Sequence, residues 1–346
     1  MGAAGCDPVR SIDRTLRAAA IGAVLLLGAW ALRDVLLLAF AAILIACGLR
    51  LAADRLGALT GIGPGWCLSA VVLSLLLLLA LFGWWRGGVI VSQAVDLGDQ
   101  FQTQAQGLWL KMGQTDWGSR VAAQVRDAVQ SSLASIGGYV TGFANSVLGV
   151  GGGVLLVAVT ALFIAASPGT YVDGALRLLP PRARGRGREV LTAVGRALQL
   201  WVLGQLVDML VVAVLIGAGL YLLGVPLAFT LALFAGLLNF VPFLGALAGA
   251  VPAVLVAFGQ SPNQALWVAG LFAAVQTLEG NLIAPLIQRR TVSLPPALTL
   301  FSQAILGTLF GPLGLVLATP VMAAGLVAVR MAYVESVLER PDGEGA

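Results

Sequence analysis

Two carboxylates fall inside apolar runs, where an ionised side chain is costly. Asp208 lies in the run 201–223, three residues after Gln205, and Glu279 ends the run 263–282, with Gly280 and Asn281 directly behind it. A charge at bilayer depth costs roughly 2.5–3.5 kcal/mol on insertion scales, so such groups face a bundle interior or a water-filled path and mark ion or substrate routes. Asp208 is the first candidate for a coupling charge; its structural alternative is an interfacial carboxylate paired with Arg196. Glu279 could bind a cation or exchange a proton, and could equally tether Arg289 or Arg290 beyond Pro285. The chain contains no histidine. Histidine triads, the common zinc ligand sets and histidine proton relays are thereby excluded, and carboxylates remain as intramembrane proton carriers.

The uncharged chemistry lies in two proline- and glycine-interrupted stretches. The first, 236–258, reads GLLNFVPFLGALAGAVPAVLVAF and is broken by Asn239, Pro242, Gly245, Gly249 and Pro252. Proline lacks a backbone donor and clashes with the preceding turn, so an apolar helix is not expected to pass smoothly through both prolines. At membrane depth a broken helix is tolerated only where protein or a cavity satisfies the freed backbone groups, which makes the break a candidate site or gate. The segments 227–241 and 243–258 are each short, as in a re-entrant hairpin or a helix pair turning at Pro242. The second stretch, 295–332, is interrupted by Gly307, Gly311, Pro312, Gly314 and Pro320. PFLGALAGAVP and GPLGLVLATP share a Pro-Gly turn followed by a second proline, and paired broken segments point to a transport site.

The elements that must position these residues follow from composition. The 346 residues are 59% hydrophobic and 10% charged, against about 25% charged in an ordinary soluble domain. The class is a polytopic, all-α transmembrane bundle. Cys6, Cys47 and Cys67 form neither a disulfide framework nor a CxxC pair. The net charge of +4 sits in loops rather than on a face for nucleic acid, so no nucleic-acid partner, metal or cofactor is expected. Residues 1–85 read as N-terminal transmembrane helices, with runs 18–32, 35–49 and 66–85, the second ending before Arg50 and Arg55. Residues 86–145 carry apolar positions at helical spacing among polar ones and read as an amphipathic, extracytoplasmic helical segment. Residues 146–332 form the transport core, opening on a span 147–166 with a Gly149–Gly153 spacing. They include an Arg-rich loop, 168–196, that the positive-inside rule places in the cytoplasm. A polar tail, 333–346, follows.

The stretches LLNFVPFLGALAGAVPAVLVA at 237–257, EGNLIAPLI at 279–287 and GTLFGPLGLVLATPV at 307–321 resemble the AI-2E transporters, also called autoinducer-2 exporter-like or PerM-like permeases. Asn239, Pro242, Gly245, Pro252, Glu279, Asn281, Pro285, Gly311, Gly314 and Pro320 sit on motif positions, while Pro312 and Asp208 are singled out by the reading above. One departure is Leu294-Pro295-Pro296, where the family commonly shows a histidine before the proline, so no role of that histidine transfers. The resemblance implies a multi-pass permease of the bacterial inner membrane with about eight spans and a homo-oligomeric assembly, while the positive-inside rule, with both broken stretches read as hairpins, places the termini in the cytoplasm. It implies a small-molecule or ion substrate: export of a small polar solute such as autoinducer-2, or sodium or lithium exchange for protons. A non-transporting scaffold or sensor is the reading from another class. No enzyme activity is expected.

Overall fold

The structure, a computed structural model, describes residues 32–84, 88, 151–283, 285–286 and 294–338. The run 18–32 apart from Leu32, the segment 86–145 apart from residue 88, Gly149, Arg289, Arg290 and the tail beyond Leu338 lie outside the described residues. Every element among the described residues is helical. Five helices are long and apolar enough to cross a membrane, and a bent pair makes a sixth candidate. The all-α transmembrane class read from composition is the observed one.

Helix α1, Arg33–Thr60, closes on Gly61, whose positive φ of 69° returns its N–H to the Gly57 carbonyl. Helix α2, Pro64–Trp84, runs back from that turn. Helix α3, Gly151–Ala166, packs beside them through small side chains: Ala42, Ala46, Ala53, Cys67, Ala161 and Ala165 are all buried in one cluster. Small residues let apolar helices approach closely where lipid offers no hydrophobic contrast. Contrary to the expected short span 35–49, α1 continues through Arg50 and Arg55. Arg50 is accommodated because its Nη1 donates to the Ala165 carbonyl at 3.1 Å, at the open end of α3, and its Nε lies 3.3 Å from Asp54.

Helix α4, Pro168–Arg177, leaves α3 at an angle of 89°. A short 3-10 turn, Pro181–Ala183, then leads into α5, Arg184–Leu222. The Arg-rich stretch expected as a loop is therefore largely helical, with Arg188 paired to Asp173 and Arg186 to Glu189. The 39 residues of α5 extend about 58 Å, longer than the roughly 30 Å hydrocarbon layer. Its arginine-bearing first turns lie beyond the apolar part of the helix.

Two short helices, α6 at Ala228–Leu238 and α7 at Leu244–Gln260, form the pair expected to turn at Pro242. They pack on α5 and on α8, Pro262–Leu278, in a core of Val212, Ile216, Leu220, Leu231, Val268 and Phe272. Ser261 caps α8, accepting the Gln264 N–H, and Pro262 occupies the first turn where no donor is needed. A π-helical turn, Glu279–Ile283, ends this helix. Helix α9, Pro296–Val329, is kinked at Gly311 and continues as a π-helix, Arg330–Leu338.

The breaks are fewer than the proline count predicts. The chain turns at 239–243 and kinks at Gly311, yet Pro252 lies inside α7 and Pro320 inside α9. Both of these prolines are buried. Each removes one intrahelical bond, and neighbouring packing holds the helix through the gap.

Candidate functional site

Three residues from three elements converge at the turn between α6 and α7. Asn239 follows the last residue of α6 and is fully buried. Its Nδ2 donates to Asp208 Oδ2 at 2.7 Å and to Glu279 Oε1 at 3.4 Å. The amide nitrogen has two hydrogens, one for each carboxylate. The opposite amide orientation would set its oxygen against two acceptors, so the bonding partners fix the orientation.

Each carboxylate is delivered by its helix. Asp208 projects from the apolar middle of α5, one turn after Gln205, whose Nε2 donates to the Asn239 carbonyl at 2.8 Å. Glu279 is the first residue of the π-helical turn and is 8% exposed. A π turn admits one extra residue per bond and re-aims the side chains around it. The carboxyl groups also stand near enough to interact directly. Asp208 Oδ1, Asn239 Oδ1 and Glu279 Oε2 are buried without a partner. Two negative charges on one neutral amide repel, and a proton or a cation between them removes that repulsion. Among the described residues no third acidic or thiol group joins the pair to make a metal-binding cluster.

The remaining sequence candidates fall into distinct places. Pro242 and Gly245 belong to the same turn; a Cβ on Gly245 would run into the Leu238 carbonyl, so only glycine lets α7 start against the end of α6. Gly314 stands likewise against the Leu306 carbonyl after the Gly311 kink, which gives the two broken stretches matching corners. Pro252 and Pro320 lie buried in the helices that follow these corners. Pro312, Asn281 and Pro285 are exposed, with Asn281, two residues beyond Glu279 in the π-helical turn, donating its Nδ2 to the Thr277 carbonyl.

Sequence reasoning missed Gln303. This α9 residue is 2% exposed, and its Nε2 donates to the Pro242 carbonyl at 3.1 Å. A lone amide in an apolar run was the available signal. Trp201 was read only as the start of a span, yet it packs edge-on against Phe240 of the turn, with ring centroids 5.6 Å apart.

A bundle of membrane-length apolar helices, with the half-buried Asp208 and the buried Glu279 sharing one amide at a helix break, defines a multi-pass membrane protein with a polar cluster among its helices. The sequence pattern of the AI-2E family transporter matches residues 20–333, and the chain belongs to that family. Relatives carrying the name "Putative transport protein" include YueF of Bacillus subtilis, 30% identical over 58% of this chain and 56% of its own length. YrrI of the same organism is 33% identical over 42% of this chain and 41% of its own. A Thermotoga maritima protein is 28% identical over 58% of this chain and 60% of its own. The chain thus spans about half the length of these relatives.

Proposed function

We propose that this permease is an ion-coupled secondary transporter in which Asp208, Asn239 and Glu279 hold the coupling ion. The observation that carries this reading is the pair of carboxylates, from two helices, sharing the Asn239 amide. Movement of the turn at 239–243 alters that sharing, and so alters what the pair binds. The corners at Pro242 and Pro312 border the path of a small polar solute exported at the expense of the ion gradient, with autoinducer-2 the first solute to test. The working arrangement is a homo-oligomer in the bacterial inner membrane with both termini cytoplasmic. In support, Arg50, Arg55, the 182–188 cluster and Arg330 all fall on one side under that topology when each of the two broken stretches begins and ends on one side of the membrane.

A second reading, sodium or lithium exchange for protons, is favoured by one feature of the centre. Its three unpartnered atoms are all oxygens, two of them carboxylate, a set suited to a bare cation or a proton. Purified protein in liposomes, with a pH-sensitive dye inside and sodium, lithium or potassium pulses outside, separates the readings. Proton movement driven by a cation alone makes antiport the primary activity. Proton movement only when autoinducer-2 or a small sugar-like solute is supplied makes solute export primary. Flux in neither assay overturns the transporter reading and leaves a scaffold or sensor.

A further inference from the structure

The turn that carries Asn239 is gripped from two sides and strained between them. Gln205 of α5 holds the Asn239 carbonyl at 2.8 Å, and Gln303 of α9 holds the Pro242 carbonyl at 3.1 Å. Between them Phe243 has φ 65° and ψ −55°, and the Leu244 N–H closes back onto the Pro242 carbonyl at 2.8 Å. This is the rarer hand of the three-residue γ-turn, a conformation an L side chain adopts only when its surroundings impose it. Pro242 O therefore accepts two N–H groups, one from the strained turn and one from Gln303.

Gln303 is placed for that single contact. Its Oε1 is buried without a partner, so the side chain bears a desolvation cost that a leucine filling the same space would avoid. The residue stands eight positions before Gly311 in α9. Gly311, with φ 66° and ψ −150°, is in a region open in practice to glycine alone and sets the angle between the two arms of α9.

We propose that Gln303 is a positioning residue that couples the second corner of the fold to the carboxylate pair. Its bond to Pro242 O holds the strained turn, and the turn holds Asn239 on both Asp208 and Glu279. A shift of the α9 arms about Gly311 reaches the carboxylates through this bond. The inference rests on the reading of Asp208, Asn239 and Glu279 as the coupling-ion centre.

The test uses the full-length protein with Gln303→Met and Gln303→Glu. Hydrogen exchange of peptides covering 238–246 reports the turn without any transport, and the half-saturating sodium or lithium concentration in liposomes reports the centre. Gln303→Met is expected to speed exchange in those peptides and to raise half-saturation about fivefold, the scale of one lost hydrogen bond. In Gln303→Glu only the protonated carboxyl donates to Pro242 O. Both readouts should therefore return toward wild type in acid and depart from it in alkali, relative to wild type at the same pH, which a mere space-filling role would not produce. Unchanged exchange and half-saturation in Gln303→Met, or a Gln303→Glu protein whose difference from wild type does not vary with pH, overturns the proposal. If the wild type moves no cation, the coupling-ion reading falls by itself. The exchange arm then decides the latch: faster exchange upholds Gln303 as the holder of the turn, and unchanged exchange overturns it.

Discussion

Asp208 and Glu279 meet on a single nitrogen, the Nδ2 of Asn239, at 2.7 Å and 3.4 Å. They arrive there by different means. Asp208 is carried on an uninterrupted helix, whereas Glu279 depends on the π turn that ends α8 and Asn239 on the chain reversal after α6. Two of the three members thus sit at irregular backbone, at a chain reversal and a π turn.

Asn239 is the member whose loss the other two cannot absorb. Asn239→Leu removes the donor from both carboxylates and leaves them buried, at about 1–3 kcal/mol for each unsatisfied group. The expected outcome is a lower thermal midpoint in detergent than for Asn281→Leu, which breaks only the exposed bond of Asn281 to Thr277 within its own helix.

The two corners should tolerate no added methyl. Gly245→Ala and Gly314→Ala each drive a Cβ into a backbone carbonyl, of Leu238 and Leu306, which cannot rotate aside. Each should cost about 1–3 kcal/mol or more. Gly270→Ala and Gly325→Ala meet nothing within 4 Å and should stay within about 0.5 kcal/mol of wild type. Thermal unfolding of the four variants in one detergent checks the contrast.

Phe243 offers a direct measure of strain in the turn. Its side chain is 45% exposed, so little burial is lost on truncation, while its φ of 65° disfavours any side chain. Phe243→Gly should keep wild-type stability, because relief of the backbone offsets the lost contacts. Phe243→Val, branched at Cβ in the same backbone, should fall at least about 1 kcal/mol below Phe243→Gly. Equal midpoints for the two would remove the strain from the account.

Much of this was legible in the sequence because polarity in an apolar run is a one-dimensional signal. Asp208, Asn239 and Glu279 each stood out that way, and Pro242 marked the reversal between α6 and α7. Their convergence was not legible, since it depends on how α5, α6 and α8 pack. Proline counting overreached at Pro252 and Pro320, where burial holds each helix across a missing bond. The arginines of 168–196 suggested a loop, although arginine is a good helix former and Asp173 and Glu189 supply partners. Gln303 went unread because an isolated glutamine gives no hint of a carbonyl 61 residues away.

The most direct test of the central claim is proton movement, driven by sodium or lithium or by a supplied small polar solute, in proteoliposomes of wild type, Asp208→Asn and Glu279→Gln, each reconstituted at equal protein content. The amide replacements keep size and shape and remove one charge from the pair, so folding should survive while coupling does not. The account predicts dye responses in the wild type, to sodium or lithium or to the supplied solute, that fall at least about tenfold in both variants, as expected when a buried coupling charge is removed. Responses of either kind that persist at wild-type rate in Asp208→Asn and Glu279→Gln would contradict it.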